Sequence, residues 1–517
     1  MASLNKYTGS WSKHLAAHLL RRTTYGVKYE TIVNFGKLTL DQCIDTLLLP
    51  LGDPPPPINY TEAADPDCPI GQTWVDKGTS QNVDKYRNES LASWMYDLIL
   101  KGDANIREKM TIFWHNHFVT ADINDARLKY IYISLLRKYA LGNFKQLTKD
   151  ITIDPSMLNY LNGRDNTGKA PNENYARELL ELFTIGKGPL VGPGDYSNYT
   201  EDDIKEMAKV LTGWVDIRAT LPIRAQFNAA RHDNTTKKLS HRFDNAVINN
   251  AGAEEYKNLI DIIFQKDEVA IHIATKLYRW FVKSSIDDDI QTNIIVPLAK
   301  IIRDNNYEIK PGVKALISSE HFYDECVIGS IIKNPIDFIT NPLNQFNTTL
   351  PTDNVDKYYV YFRLQQLTLA QQMGIFNAPS VAGWQVYYQE PLYYKLWLNS
   401  TSLPARKVFT DSFASNVFKV RNVTIIPNTI DTVKKFASPD NPDVVLEELS
   451  LLIFCKPLAT NQLSVLKTLI DVGNTGNWQT AYNLYISNPT EANKTVVVNR
   501  LRNLLVYMMR MPEYHLS

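Results

Sequence analysis

The chain has 517 residues, 44% of them hydrophobic, and its 55 basic side chains balance 55 acidic ones. That is enough apolar material for a large core. A balanced charge argues against general binding to nucleic acid, which needs a cationic surface to displace counterions, and against a protein held on a membrane by a basic face.

Residues 10–50 predict two helices about a turn at Gly26, one from the stripe Leu15, Leu19 and Leu20, the other over 38–49. Residues 51–87 read as a proline-rich loop, because four consecutive prolines, Pro54 to Pro57, exclude helix. A helical core over 88–345 follows, with helices at 89–100, 106–117, 126–140 and 144–153. Asp154 before Pro155 reads as an N-cap followed by proline at the first helical position. A further helix is expected over 171–184, and Thr200 with the acids behind it starts another. The stretch 215–245 predicts a short hairpin or an irregular excursion, and helices resume at 253–265, 268–283, 290–304 and 311–318. Residues 346–517 give an aromatic-rich, less regular segment to about 425 and then a closing bundle with helices at 443–455, 461–472, 477–487 and 493–510. The fold class read from this order is mostly α, with a minor β-hairpin at most and the C-terminal part packed on the core.

Four cysteines, Cys43, Cys68, Cys326 and Cys455, form no CxxC pair, match no zinc-ligand spacing and are too few for a disulfide framework. A reducing compartment is the simpler reading. His18 interrupts the short apolar stretch 15–20, and polar residues follow Arg21-Arg22 where a twin-arginine leader has an apolar core. The cytoplasm is therefore the default expectation, with export alongside a partner as the alternative. No stretch approaches the roughly eighteen apolar residues of a membrane span. There is no phosphate-binding glycine loop, dinucleotide fingerprint or nucleophile elbow.

Three polar segments are candidates for chemistry. In the first, Trp114-His-Asn-His-Phe118, His115 and His117 share one side only if the helix ends near Trp114; on a continuous helix they diverge. Together they supply two nitrogen ligands, with Glu173, Glu178, Glu181 or Asp154 completing a metal shell. In the second, 171–186, Glu173, Arg177 and Glu181 form an i, i+4, i+8 ladder, which on an isolated helix is most simply a solvated face. The third, Arg231-His-Asp-Asn, places His232 and Asp233 in a loop.

These segments, in order, resemble the bacterial domain-of-unknown-function family 1800 (DUF1800). The matching stretches are His18-Leu-Leu-Arg-Arg-Thr-Thr-Tyr-Gly26, Arg107-Glu-Lys-Met, Trp114-His-Asn-His-Phe118, Leu141-Gly-Asn-Phe144, Asp154-Pro-Ser-Met157, the 171–183 segment, Thr212-Gly-Trp214, His232-Asp233, Lys276-Leu-Tyr-Arg-Trp-Phe281 and Pro379-Ser-Val-Ala-Gly-Trp384. The resemblance implies no established activity. It implies signature residues at His115, Asn116, His117, Asn172, Glu173, Arg177, Glu178, Glu181, His232 and Asp233. It also implies a partner from a neighbouring family, numbered 1501, that resembles sulfatases and alkaline phosphatases.

Two readings follow. In the first the chain is a metal-assisted hydrolase: His115, His117 and Glu173 hold a divalent metal ion, Glu173 also acts as general base, Arg177 holds an anionic group, and His232, oriented by Asp233, is an acid/base. In the second it is a non-catalytic binding or scaffold partner of a sulfatase-like protein or a glycan. The polar signature is then a structural network, and Tyr387, Tyr388, Tyr393, Tyr394 and Trp397 form an aromatic platform.

Overall fold

Helices begin where the sequence supplies caps. In the computed structural model, which describes residues 2–60, 65–79, 81–101, 104–384, 396–471 and 477–517, the Ser12 hydroxyl accepts the Leu15 N–H ahead of Lys13–Thr23. Thr39 and Gln42 close a capping box at Leu40–Leu47. The Asp154 carboxylate accepts from Ser156 at 2.8 Å and Met157 at 3.2 Å, with Pro155 at the first position of Pro155–Tyr160. Thr200 and Asp203 form the same box at Glu201–Val210.

The protein is mostly α. Its strands form four separate antiparallel pairs among the described residues. The longest, Trp214–Ile217 with Arg224–Phe227, sets Trp214 opposite Phe227 and supplies the hairpin expected after residue 215. Three expectations need correction. The first fifty residues hold three helices, since the Thr39 box restarts the chain after Tyr29–Lys37. The helix expected over 171–184 is α-helical only over Asn174–Glu178 and then widens into a π turn, Leu179–Phe183. The aromatic-rich segment holds a long regular helix, Asn354–Leu369, capped by Asp353. That helix packs on both Gln81–Ile99 and Pro335–Gln345, so its apolar residues spread round the axis and blur the periodicity that marks a one-sided helix.

Pro335–Gln345 lies at the centre, with all its residues buried. Its polar side chains are used inside the core: the Asn344 amide donates to the Tyr25 carbonyl at 2.9 Å and the Ile99 carbonyl at 3.2 Å, and Gln345 donates to Leu452 at 2.6 Å. One apolar cluster runs from Ala16 to Tyr514 and joins the N-terminal helices to the closing bundle. No helix among the described residues is long and apolar enough to cross a membrane. All four cysteines are free.

The turn after the first helix is tied to that central helix. Gly26 has φ +85°, and a Cβ there would stand 2.7 Å from the Asn341 carbonyl oxygen. Gly26→Ala is therefore expected to cost about 1–3 kcal/mol from the backbone conformation alone, read as a lowered urea midpoint. An unchanged midpoint would show that the turn relaxes freely.

Candidate functional site

The helix Arg107–His117 continues through its last histidine. At about 100° per residue, His115 and His117 then point to different sides. His115 is fully buried and both its nitrogens are used. The Phe376 N–H donates to Nε2 at 3.0 Å, so Nδ1 carries the proton and donates to the Tyr132 oxygen at 2.8 Å; Tyr132 in turn donates to the Phe118 carbonyl. Burial pushes its pKa down to about 3. Asn116 Oδ1 accepts the Trp384 N–H at 3.1 Å, and a Cβ on Gly383 would meet that oxygen at 2.3 Å.

His117 serves the π turn. A widened turn leaves carbonyls without their usual helical partners. His117 Nε2 donates to Phe183 at 3.0 Å, His272 Nε2 donates to Leu182 at 2.9 Å, and Lys276 donates both to Leu182 at 2.9 Å and to His117 Nδ1 at 3.1 Å. Burial, reinforced by Lys276, pushes His117 well below the ordinary histidine range and His272 down to about 3; burial itself pushes Lys276 down to about 7. The His-Asn-His triplet thus makes three separate anchors.

The remaining signature residues form two further groups. Arg177 forks onto Glu201 at 3.0 and 2.8 Å, with Glu173 at 3.2 Å and Glu181 at 3.6 Å, on a partly exposed face. Glu178 is half-buried, and that burial raises its pKa. His232 Nδ1 donates to the Thr212 carbonyl at 2.9 Å, and its Nε2 lies 3.1 Å from Glu255, not from Asp233. Glu255 is also 2.6 Å from the Lys237 ammonium, which lies 3.6 Å from Asp233. Asp233 therefore meets Lys237, and Glu255 holds the histidine.

The metal set His115, His117 and Glu173 is not brought together, because each nitrogen of the two rings already holds a protein partner and Glu173 sits on the Arg177 face. Among the described residues no group of three or more histidine, cysteine or acidic side chains is placed to hold a metal ion. Among the described residues no hydrogen bond or ion pair joins the Arg177 and His232 groups to each other or to His115 and His117.

A different set of residues does converge. A cavity of about 70 Å³ is lined by Arg21, Arg22, Lys109, Asn116, Asp337 and Trp384, with Trp280 and Trp397 also in its wall. Arg21 and Arg22 are buried at 5% and 3% exposure, and neither forms an ion pair with a carboxylate among the described residues. Arg21 donates to the Leu451 carbonyl; Arg22 donates to Val282 and Val327. Among the described residues, the Nε of each arginine and the indole N–H groups of Trp280 and Trp384 have no acceptor. Lys333 and Arg406, also buried, stand behind the wall and donate to the Tyr514 and Lys333 carbonyls. Among the described lining residues the acidic side chain is Asp337, 2.5 Å from Lys109. Burial pushes Arg21 and Arg22 down to about 10, Arg406 to about 9 and Lys333 to about 7. Positive charge held in low dielectric without counter-charge is costly, and an anion in the cavity relieves that cost.

A family model described as "Protein of unknown function (DUF1800)" matches residues 18–516. The chain belongs to the DUF1800 family. No curated protein and no solved structure matches it. In this DUF1800 chain the cavity gathers motifs far apart in sequence: Arg21-Arg22, Lys109, Asn116, Trp280 and Trp384 each lie in a stretch that carries the family resemblance. Sequence reasoning passed over Arg21, Arg22, Lys109, Trp280 and Trp384 as site residues. The available signal was the charge of Arg21, Arg22 and Lys109 on helices otherwise facing the core. Four tyrosines of the proposed aromatic platform, Tyr387, Tyr388, Tyr393 and Tyr394, lie outside the described residues; Trp397 is buried in the cavity wall.

Proposed function

We propose that this protein binds a small tetrahedral oxyanion in the Arg21–Arg22 cavity, and that the histidine and glutamate signature is the scaffold of that site. The observation that carries this reading is the pair of buried arginines that, among the described residues, have no carboxylate partner, facing a cavity together with indole N–H donors that have no acceptor among those residues. Guanidinium groups and N–H donors recognise sulfate and phosphate through charge-assisted hydrogen bonds. A cavity of about 70 Å³ suits a single oxyanion group. The partner that the family resemblance implies, a sulfatase- or alkaline-phosphatase-like protein, handles such groups, so a non-catalytic binding role beside it is chemically consistent. The metal-assisted hydrolase reading has less support, because its ligands and its acid/base pair are spent on separate structural contacts.

Thermal unfolding in increasing phosphate and sulfate tests the proposal. A ligand that binds only the folded state stabilises it by mass action, by about 2.7 kcal/mol at a hundredfold excess over Kd, and so raises Tm. Arg21→Met is expected to lose that rise while its anion-free Tm stays near the wild-type value, since removing a buried unpaired charge offsets the loss of its bond to Leu451. No rise with either anion in the wild-type protein would overturn the proposal.

A further inference from the structure

We infer that the cavity selects an oxyanion that still carries a proton, such as hydrogen phosphate or a phosphate monoester in its protonated form, over sulfate, with Asp337 accepting the hydrogen bond from that proton. The inference rests on the oxyanion reading above and adds the identity of the ligand.

Donors alone do not separate the two anions. Phosphate and sulfate are both tetrahedral and similar in size, and arginine, lysine and indole N–H groups bind either. Discrimination needs an acceptor, because at neutral pH sulfate has no proton to offer and phosphate has at least one. Asp337 is that acceptor. It lines the same cavity as Arg21, Arg22 and Trp384. An ionised carboxylate has about four lone-pair positions. Hydrogen bonds take two of them, from Lys109 Nζ at 2.5 Å and Asn334 Nδ2 at 2.8 Å.

Asp337 is also fixed in place. It sits in the first turn of Pro335–Gln345, where its N–H donates to Asn334 Oδ1 at 3.0 Å, so both its backbone and its side chain are tied to the cap residue. Retreat from an incoming anion would break the pair with Lys109 inside the core. A bare sulfate oxygen set against this carboxylate meets like charge, whereas a phosphate hydroxyl turns the same contact into a charge-assisted hydrogen bond. Lys109 makes the arrangement two-sided. Its ammonium has three donors and spends one on Asp337, while it lies 4.5 Å from the centre of the Tyr25 ring. The ion pair thus presents a donor and an acceptor to one ligand.

Calorimetric titration of the full-length protein at neutral pH with inorganic phosphate, arsenate, sulfate and selenate tests the inference. Phosphate and arsenate, which keep a proton, are expected to bind at least about 10-fold more tightly than sulfate and selenate, which keep none. In Asp337→Asn the preference is expected to collapse or invert, because the amide can donate to a bare oxygen. Equal or tighter binding of sulfate and selenate to the wild-type protein would overturn the inference while leaving the oxyanion reading intact. A preference that survives in folded Asp337→Asn would do the same. Should that variant not fold, the wild-type ranking of the four anions decides alone. If none of the four binds, the oxyanion reading itself fails.

Discussion

Lowering the pH from about 7 to about 5 is expected to unfold the protein in one steep transition. Five histidines, the buried His18, His115 and His117 and the half-buried His272 and His515, are held below the ordinary value of 6.5, chiefly by loss of hydration and further by neighbouring cations. The sign follows from which state binds the protons. Below the unfolded value of 6.5 the unfolded chain takes up protons that the folded chain refuses, so the stabilisation present above 6.5 is lost as pH falls towards the folded values, about 3 for His115, His272 and His515. Each such histidine contributes a slope of about 1.4 kcal/mol per pH unit, and five together about 7, against a total stability of about 5–15 kcal/mol. Asp154 acts in the opposite direction. Burial raises it to about 7, so its contribution is lost as pH rises from 3.8 through that value, and it offsets one histidine over the same range. Asp84, Glu89 and Glu178, also raised by burial, oppose the histidines less. Circular dichroism across a pH series measures the midpoint. Native signal persisting to about pH 4 would show that these rings are charged or solvated in the fold.

The second large effect falls on Glu255. Its side chain is completely buried, between the Lys237 ammonium at 2.6 Å and His232 Nε2 at 3.1 Å. Glu255→Gln removes the nearer of the two carboxylates facing a lysine with no access to water, leaving Asp233 at 3.6 Å, and is expected to destabilise the protein by about 3 kcal/mol. Urea denaturation measures it. If the variant instead keeps wild-type stability, the cluster is not holding the 212–255 excursion to the core, and His232 regains its standing as a chemical group.

Much of the fold was legible because its signals are local. Asp154-Pro155, Thr200 with its acids and the leucine stripes each act within one or two turns, and the helices start where they say. The losses share one cause. Asn354–Leu369 is packed on more than one side, so its pattern lacks a polar face. The π turn at Leu179–Phe183 depends on His117, His272 and Lys276, which come from two other helices.

The site was less legible than the fold. His115 and His117 invite a metal reading only while the end of their helix is unknown; one further turn sends one ring to Phe376 and Tyr132 and the other to Phe183. The Glu173–Arg177–Glu181 ladder proved to be the partly solvated face that its spacing suggests, joined by Glu201 from the next helix. In the sequence Arg21-Arg22 has only a superficial likeness to a twin-arginine signal, since polar residues follow it. Its place in the site shows only when residues from 21 to 384 meet around one cavity, where among the described residues neither arginine has a carboxylate partner.

Anomalous diffraction from crystals soaked separately in arsenate and selenate locates a bound oxyanion without relying on any variant. A peak is expected inside the cavity, within hydrogen-bonding reach of Arg21, Arg22 and the Trp384 indole, for at least one of the two anions. Peaks confined to surface lysines and arginines, with none between these residues, would contradict it.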